Sequence, residues 1–414
     1  MTVALLTIGN ELLRGEVTNA NALWLAEQLT ELNFQVDHIE VVGDELGQLV
    51  EALARLTNEP RVLICTGGLG PTSDDRTAAA AAAAFDRPLE LNEDALATIR
   101  RFVTTKGDEM RSGHEKQARV PRGAELLHNS IGTAPGFVVD LAVGGAATQV
   151  YFLPGVPNEM RAMFEQHVEP RIRAAASNDS FHVLLHTVGV SESWIAEALA
   201  GLEESHEVVV GYRAKSSEVD IRIVAKGDDV AEAREKAHAA AKEVRDRLGD
   251  CVYGEGPQNM PKLVGKAVRT RGWRLAVAES CTGGLIAQQL TAQPASDFFV
   301  GGAVVYANTA KSQILGVSED TLRGHGAVSA EVAAEMAEGA KRKFECEVAI
   351  SVTGIAGPTG ATPGKPVGLC HYAVAHPGGT EVGHSVFTGN RGVVQKKAAH
   401  AALDLLRRTL NGVH

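Results

Sequence analysis

The sequence predicts a multi-domain α/β protein, with a parallel-sheet α/β domain first, a small α+β module second and another α/β domain last. Its 414 residues suffice for about three domains of ordinary size. Short apolar runs alternate with helical patterns in the first and last thirds, which is typical of parallel βαβ units. Stretches of small and polar residues at 177–180 and 254–257 read as linkers. We therefore expect domains at 1–170, 171–255 and 256–414.

The first third contains three predicted strands, and each of the first and third ends at a glycine-containing turn. The strands are predicted at 3–8, 34–42 and 61–65, and the helices between them at 21–31 and 45–56. The turn at 9–15 carries Glu11. The third strand runs into a glycine-rich loop at 66–77, followed by an alanine-rich helix at 78–85, and the loop at 152–160 again ends a strand and opens a helix.

The glycine-rich loop has the composition of an anion-binding site. Its glycines allow close approach of a ligand, and the N–H groups at the start of the helix can donate to a phosphate. Asp74 and Asp75 beside them suit a divalent cation that bridges the protein to a diphosphate. Helix capping by Asp75 or Thr77 is the alternative, but capping accounts for only one of the two aspartates. We therefore predict Asp74 and Asp75 as metal ligands, with Glu159 as a further candidate for the metal or a ribose.

Three motifs in this order resemble the amino-terminal domain of the CinA (competence/damage-inducible protein) family. They are Gly9-x-Glu11-Leu12-Leu13-x-Gly15, the loop at 66–77 with its two aspartates, and Leu153-Pro154-Gly155-Val156-Pro157-x-Glu159-Met160. That domain is similar to molybdopterin-binding proteins. The resemblance implies metal-dependent hydrolysis of ADP-ribose to AMP and ribose 5-phosphate, with Mg²⁺ or a transition metal as the cofactor. The implied substrate contacts are Glu11, Asn21, Gly67, Gly68, Gly70, Thr72, Thr77, Pro154 and Gly155.

The middle of the chain has the pattern of a small α+β sandwich. Strands are predicted at 182–188, 208–212 and 218–225, and helices at 194–202 and 230–248. In CinA-like proteins this segment resembles a KH-type fold. A KH domain clamps RNA with a Gly-x-x-Gly loop, and no such tetrapeptide occurs between Phe181 and Gly249. We therefore expect a spacer or a dimerisation element here, and no nucleic-acid partner.

The last third contains a strand–turn–helix segment around Ser280. An apolar run at 274–277 precedes Ala278-Glu279-Ser280-Cys281-Thr282-Gly283-Gly284, and a helical pattern at 285–290 follows it. Such a segment places a hydroxyl at the carboxyl edge of a sheet and directs free N–H groups to the same point. A nucleophile and an oxyanion can meet there, although a turn that only packs the helix on the strand is the alternative. Cys281 is the rival nucleophile.

Lys311 is the candidate general base. It follows a predicted strand at 298–305, and Asn308 is predicted to cap a helix whose first turn contains it. The positive end of the helix dipole disfavours a charged lysine, so the pKa of Lys311 should be lowered. A neutral lysine can take the proton of a serine; an exposed, charged lysine is the alternative.

Two further segments are candidates for binding the oxyanion or a phosphate. Thr353 and Gly354 end a predicted strand at 348–352 and begin a glycine-containing loop. Arg391 opens the final helix, and its guanidinium suits a phosphate monoester. A surface arginine is the alternative.

Five motifs of the last third resemble the carboxy-terminal CinA domain, the nicotinamide-nucleotide amidase (PncC) family. They are the segment at 278–284, Tyr306-x-Asn308-x-x-Lys311, and the segments at 326–329, 354–358 and 366–368. The resemblance implies deamidation of nicotinamide mononucleotide (NMN) to nicotinic acid mononucleotide and ammonia, without a cofactor. It implies Ser280 as the nucleophile and Lys311 as the base. The implied substrate contacts are Glu279, Cys281, Thr282, Gly283, Gly284, Tyr306, Asn308, Thr353, Gly354, Gly357 and Arg391.

Composition limits the partners and the location. The net charge of −11 opposes non-specific binding to nucleic acid. The five cysteines are scattered without a Cys-x-x-Cys pair, so neither a disulfide framework nor a structural zinc site is expected. The first apolar run is too short for a signal peptide, and no run approaches the length of a membrane helix. We expect a cytoplasmic protein with small nucleotide substrates and no membrane partner, and the family resemblance implies a homodimer.

Two other interpretations stay open at this point. The amino-terminal domain could be a relative of molybdopterin adenylyl-transfer enzymes. The whole protein could also be a non-enzymatic accessory of competence or recombination. The main interpretation places both activities in the recycling of NAD breakdown products.

Overall fold

The computed structural model describes residues 2–32, 34–59, 62–143, 146–174 and 180–412. The chain forms two units, Met1–Asn178 and Asp179–His414. The first linker predicted from the sequence lies, at 177–179, outside the described residues. Within the described part of the chain, no helix is both long and apolar enough to cross a membrane.

The first unit is an α/β domain around a six-stranded sheet. Strands β1 to β8 are Thr2–Ile8, Gln35–Val42, Val62–Thr66, Leu89–Leu91, Arg119–Pro121, Glu125–Leu127, Gly136–Val143 and Ala146–Leu153. Helices α1 to α8 are Asn10–Leu13, Ala20–Glu31, Leu46–Leu56, Thr77–Ala84, Glu93–Thr105, Ser112–Gln117, Pro157–Met163 and Glu169–Ala174, with a π-helical turn at Phe164–Val168. The sheet order is β2-β1-β3-β8-β7-β6.

The predicted parallel arrangement is confirmed for β2, β1, β3 and β8. Strands β7 and β6 extend the sheet in antiparallel fashion, which the sequence pattern did not predict. Because β1, β3 and β8 are adjacent and parallel, the loops after their carboxyl ends meet at one edge. The three motifs of the first third are therefore brought together.

The middle module is a four-stranded antiparallel sheet covered by helices. Strands β9 to β12 are Ser180–Val188, Val208–Ala214, Glu218–Lys226 and Val252–Glu255, in the order β10-β11-β9-β12. Helices α9 to α11 are Glu192–Ala198, Leu202–His206 and Val230–Leu248, followed by a 3₁₀ turn at Gly249–Cys251. The linker predicted at 254–257 is corrected, because its first two residues belong to β12. That strand pairs with β9, and Gly256 N donates to Leu184 O at 2.9 Å.

The rest of the second unit is a five-stranded mixed sheet between two layers of helices. Strands β13 to β17 are Leu275–Glu279, Phe299–Val304, Val348–Gly354, Leu369–His376 and Gly379–Val386, in the order β14-β13-β15-β16-β17. Helices α12 to α17 are Met260–Thr270, Leu285–Thr291, Asn308–Leu315, Glu319–His325, Ala330–Lys343 and Arg391–Asn411. The first three strands of this order are parallel, and β16 and β17 are antiparallel to their neighbours.

Alternation along β13 distributes its side chains between two cores. Leu275 and Val277 pack in the core shared with α12, α13 and α17. Ala276 and Ala278 pack in the core shared with α14 and α16. Successive strand residues point to opposite faces of the sheet. We therefore expect the side chains of the residues directly after β13 to alternate between the same two faces.

Candidate active site

Ser280 lies at the carboxyl end of β13, where its backbone continues the sheet. Ser280 N donates to Val352 O at 3.0 Å. By the alternation of β13, its side chain points to the face of the sheet on which α14 packs. Ser280 is only 7% exposed. The hydroxyl is therefore held at the sheet edge, in a largely desolvated place.

Lys311 meets Ser280 from the first turn of α14. Its Nζ lies 3.2 Å from Ser280 Oγ, 3.0 Å from Val305 O and 3.2 Å from Tyr306 O. The residue is 1% exposed, and burial lowers the pKa of its ammonium group. No carboxylate forms an ion pair with it among the described residues. The environment therefore disfavours the charged form.

The two carbonyls also orient the lysine. A neutral amine has two N–H bonds and one lone pair, and a backbone carbonyl can only accept. When Val305 O and Tyr306 O take the two N–H groups, the lone pair is left for the Ser280 hydroxyl. Asn308, which was predicted to cap α14, is instead the first residue of the helix, and Ala307 precedes it. This places Lys311 in the first turn, as predicted.

Glu279 fixes the turn after Ser280 by hydrogen bonds to its backbone. The sequence predicted Glu279 as a substrate contact, and its burial corrects that prediction. Its side chain is 0% exposed. Its two carboxylate oxygens accept from Gly284 N at 3.0 Å, Ile286 N at 3.1 Å and Ala287 N at 2.9 Å. These bonds satisfy orphan N–H groups at the start of α13. Glu279 is thus the anchor of the turn.

Two backbone N–H groups of the turn have no oxygen acceptor in the described structure, and one of them, Cys281 N, interacts with its own thiol. Gly283 N donates to Ser280 O, and Gly284 N is used by Glu279. Cys281 N and Thr282 N have no backbone or side-chain oxygen as an acceptor among the described residues. The Thr282 hydroxyl is also buried without a partner there. The free donors of the turn thus come from the two residues directly after Ser280.

Cys281 points to the opposite face of the sheet from Ser280. It packs in the core shared with α17, and its thiol is hydrogen-bonded to that of Cys370. This bond and burial raise the pKa of Cys370. Strand alternation thus directs Cys281 to the other face from Ser280, while its hydrogen bond with Cys370 and the nearby charge of Lys311 lower the pKa of the Cys281 thiol.

Arg391 connects two other predicted segments. Its guanidinium donates to Gly357 O at 2.8 Å and to the Tyr306 hydroxyl at 2.7 Å. The Thr353 hydroxyl donates to Ala327 O at 2.7 Å, and Thr353 and Gly354 lie within β15 rather than in the loop after it. Predicted motifs from four separate parts of the sequence thus converge near the sheet edge.

In the first unit, the glycine-rich loop packs directly on the end of β1. Gly67 has φ +112°, and a Cβ there would lie 2.2 Å from Ile8 O, so only glycine fits. Thr77 begins α4, and its hydroxyl donates to Gly67 O at 2.9 Å. Asp75 accepts from Thr72 N at 2.9 Å and from the Thr72 hydroxyl at 2.5 Å. Neither Asp75 nor Thr77 caps α4, because Arg76 precedes it without a side-chain cap.

A cavity of about 410 Å³ lies over these loops. Five acidic residues line it: Glu11, Asp44, Asp74, Asp75 and Glu159. The glycines and the proline of the predicted site line it too: Gly67, Gly68, Gly70, Pro154 and Gly155. Asn21 ties two of the loops, because its Nδ2 donates to Thr66 Oγ1 at 3.1 Å and to Gly155 O at 2.8 Å.

The acidic residues are spread around the cavity rather than gathered on one point. No three of the described His, Cys, Asp and Glu residues are grouped closely enough to hold a metal ion. Oxygen donors of this kind suit Mg²⁺, which keeps several waters and binds one or two carboxylates together with substrate phosphates. The donor set thus fits a cation that arrives with a phosphorylated ligand.

Comparison with known proteins identifies the family. A CinA-like protein of Prochlorococcus marinus is 41% identical over 413 residues, covering 99% of this chain and 96% of its own. A CinA-like protein of an Anaeromyxobacter species is 40% identical over 412 residues, covering 99% of both chains. The chain belongs to the CinA family.

Family models divide the chain into three CinA segments. The "probable molybdopterin binding domain" matches 4–174, the "damage-inducible protein CinA KH domain" matches 182–254, and the "CinA C-terminal domain" matches 257–410. A solved CinA superfamily protein of Klebsiella pneumoniae is 36% identical, with a TM-score of 0.36, and covers 37% of this chain and 99% of its own. The three-part organisation of the CinA family is thus present here.

Sequence reasoning missed several residues that support these CinA sites. Asn129 Nδ2 donates to Glu159 Oε2 at 2.7 Å, and Asp44 Oδ2 accepts from Asn10 N at 3.1 Å. Gln117 Nε2 donates to Leu69 O at 3.3 Å. In the C-terminal domain, Gln395 Nε2 donates to Cys281 O at 2.8 Å. Each partner is distant in sequence, and no local motif marked these residues.

Proposed function

We propose that the C-terminal domain hydrolyses the carboxamide of NMN through an acyl-enzyme on Ser280. The observation that carries this proposal is the contact of Lys311 Nζ with Ser280 Oγ at 3.2 Å, in a place where burial lowers the pKa of the lysine. A carboxamide is a poor electrophile, so a covalent intermediate and an oxyanion hole both lower the barrier.

The proposed steps balance in atoms and charge. Lys311, as a neutral amine, takes the Ser280 proton while Oγ attacks the carboxamide carbon. The tetrahedral oxyanion accepts hydrogen bonds from Cys281 N and Thr282 N. The C–N bond then breaks, and ammonia leaves with the proton returned by Lys311. Water then attacks the ester while Lys311 takes its proton; the bond between the acyl carbon and Oγ breaks, Lys311 returns the proton to Oγ, and nicotinic acid mononucleotide is released.

Ammonia release from NMN tests this proposal. The wild type should release ammonia, and Ser280→Ala should reduce the rate by at least about a thousandfold. Cys281→Ala is the matched control, because its side chain lies on the other face of the sheet, and it should retain activity. Loss of activity in Cys281→Ala with retention in Ser280→Ala would reverse the assignment.

We propose a second activity for the amino-terminal domain, the hydrolysis of ADP-ribose to AMP and ribose 5-phosphate. The cavity with five acidic residues supports it, because a diphosphate needs a cation to approach such a surface. One or two of the carboxylates of Asp74, Asp75 and Glu159 would hold the divalent cation together with the substrate phosphates, and the cation would supply neutralisation of the phosphate charge. The Asn129 amide bonded to Glu159 would orient that carboxylate.

AMP formation from ADP-ribose, with Mg²⁺ or a transition metal and then with chelator, tests this second activity. We expect Asp74→Asn and Glu159→Gln to lose it, while Ser280→Ala keeps it. Activity only with a pterin substrate would favour the molybdopterin adenylyl-transfer alternative.

We further propose a homodimer without a nucleic-acid partner, a proposal that rests on the family resemblance and the acidic net charge. Light scattering and a DNA-binding titration test it. Normal competence in a cell that carries only Ser280→Ala would favour the scaffold alternative for that process.

A further inference from the structure

The first turns of α17 contact the Ser280 turn through a glutamine. Gln395 lies one helical turn after Arg391, and its Nε2 donates to Cys281 O at 2.8 Å. The acceptor is a carbonyl, which fixes the orientation of the amide. Asn390 caps the helix by accepting from Val393 N at 3.1 Å. The donor is therefore carried on a well-defined helix start.

This hydrogen bond determines the direction of the next N–H group. The carbonyl of Cys281 and the N–H of Thr282 belong to one peptide unit and point in opposite directions when the bond is trans. The structure records a cis bond only at Gly357-Pro358 among the described residues. Gln395 holds the carbonyl on the side of α17, so Thr282 N–H points away from α17.

The opposite side of the turn is the side of the nucleophile. Helix α17 packs in the core that contains Cys281, whereas α14 with Lys311 packs on the other face of β13. Thr282 N has no acceptor in the described structure. A free donor thus points to the face on which Lys311 Nζ and Ser280 Oγ meet.

We propose that Gln395 is a positioning residue that fixes the Cys281–Thr282 peptide as part of the oxyanion hole. This inference rests on the proposed function of the domain. An oxyanion donor is effective when its direction is set before charge develops. The turn has a second fixed point in Glu279, on the α13 side. Without Gln395, the Cys281–Thr282 peptide would lose the side-chain hydrogen bond that orients the Cys281 carbonyl.

The role predicts a particular kinetic pattern. Among the described residues, the Gln395 side chain is hydrogen-bonded to Cys281 O and not to Lys311, Arg391 or Tyr306, so its removal should leave the pH midpoint of the reaction and KM unchanged. The loss should fall on kcat, because the contact acts on the charge that forms in the transition state. If the hydrogen bond only stabilised the fold, its removal would lower thermal stability without a loss confined to kcat.

The experiment compares Gln395→Met with Gln293→Met in the full-length protein. Gln293 Nε2 donates to Pro261 O at 2.9 Å, so this control removes an equivalent bond at the far end of α13. We expect kcat with NMN to fall about 10- to 100-fold in Gln395→Met and to stay within about twofold in the control. Gln395→Glu keeps the shape of the side chain, but its ionised carboxylate cannot donate. We expect the same fall in kcat for this variant.

A second readout does not need NMN. A fluorophosphonate forms a P–O bond with Ser280 Oγ and expels fluoride, and its phosphoryl oxygen uses the same N–H donors. We expect the rate of Ser280 labelling, followed by mass spectrometry, to fall in parallel with kcat. If the wild type is labelled but does not hydrolyse NMN, the proposed substrate is wrong, while the labelling rates still test Gln395.

Three results would overturn the positioning role. The first is equal kcat and labelling rate in Gln395→Met and the wild type. The second is a loss confined to KM, or a loss matched by a shifted pH midpoint. The third is a wild-type Ser280 that no probe labels, which would overturn the nucleophile and this inference together.

Discussion

Lys311 is the residue on which the chemistry of the C-terminal domain depends. A lysine that is 1% exposed, and whose nitrogen faces two carbonyls and a hydroxyl, has a lowered pKa because burial disfavours its charge. The same burial that makes it costly in the folded state makes it available as a base. Stability and reactivity therefore oppose each other at this residue.

The pH dependence of the amidase reaction should report this lysine. Only the neutral amine is active, so kcat/KM should rise with pH through the lowered pKa and reach a plateau below the ordinary lysine value of about 10.4. Lys311→Arg should be inactive at every pH, because a guanidinium is not deprotonated in proteins.

Lys341→Arg is the control for this substitution. Its Nζ also donates to a backbone carbonyl, His376 O at 3.0 Å, but it lies at the end of α16 away from Ser280. The Lys341→Arg variant should keep the wild-type dependence of kcat/KM on pH. A profile that is flat from about pH 6 to 10, or activity in Lys311→Arg, would contradict the assignment of the base.

At the scale of elements, the turn between β13 and α13 is organised by one buried carboxylate. Glu279 closes the strand, and its oxygens serve three N–H groups at the start of the helix. The helix therefore begins at a fixed angle to the strand, and Gly283 with φ +67° completes the turn. Sequence composition predicted the turn, but not the residue that shapes it.

Glu279→Gln should destabilise this segment. The glutamine amide nitrogen cannot accept, so it would leave at least one buried N–H group unpaired, which costs about 1–3 kcal/mol. We expect a lower urea midpoint and a reduced kcat. The matched control is Glu347→Gln, because Glu347 Oε2 accepts from Arg274 N at 2.7 Å in an exposed place. Equal midpoints for the two variants would contradict this account.

At the scale of the molecule, the middle module and the C-terminal domain share one unit with a polar contact region. His186 Nδ1 lies 2.8 Å from Asp220 Oδ1, and His186 Nε2 lies 2.8 Å from Gly256 O. An ionised carboxylate and a carbonyl can only accept, so these two contacts favour the protonated ring, in which both nitrogens donate. Burial alone would lower its pKa, but these hydrogen bonds outweigh burial and raise it.

Asp220 completes the pair. Burial alone would raise the pKa of Asp220, but hydrogen bonds from His186 and Lys215 lower it to about 2. The contribution of His186 is present below its unfolded pKa of about 6.5 and is lost as the pH rises through its raised folded pKa. The contribution of Asp220 is present above about pH 3.9 and is lost as the pH falls through its lowered pKa.

Asp220→Asn should therefore cost about 3 kcal/mol of unfolding free energy near pH 5.5, and the cost should fall as the pH rises through the raised pKa of His186. Urea titrations followed by fluorescence measure the difference. The exposed pair of Lys242 and Asp246, at 78% and 62% side-chain exposure, supplies the control. Asp246→Asn should leave the free energy of unfolding nearly unchanged, because water screens an exposed pair. A pH-independent loss in Asp220→Asn would contradict the charged pair.

The sequence predicted the sheet-edge motifs well because each follows a short apolar run with the pattern of a buried strand. It predicted Ser280 and Lys311 as a pair, and the structure brings them together. The opposite orientation of Cys281 follows from alternation along β13 and was within reach of the sequence.

The sequence alone could not predict the contacts of Asn129 with Glu159 and of Gln395 with Cys281. Partners far apart in the chain depend on the tertiary fold. Strand β12 was mistaken for a linker because a short edge strand can have the same glycine-rich composition.

The join between the middle module and the C-terminal domain has a consequence for where the chain can be divided. Family models end one module at 254 and begin the next at 257. In the folded chain, Gly256 is hydrogen-bonded through both its N–H and its carbonyl, and Asn259 already caps α12. The border between the two family models thus falls inside a hydrogen-bonded segment. A C-terminal domain begun at residue 257 would lack both of the Gly256 bonds.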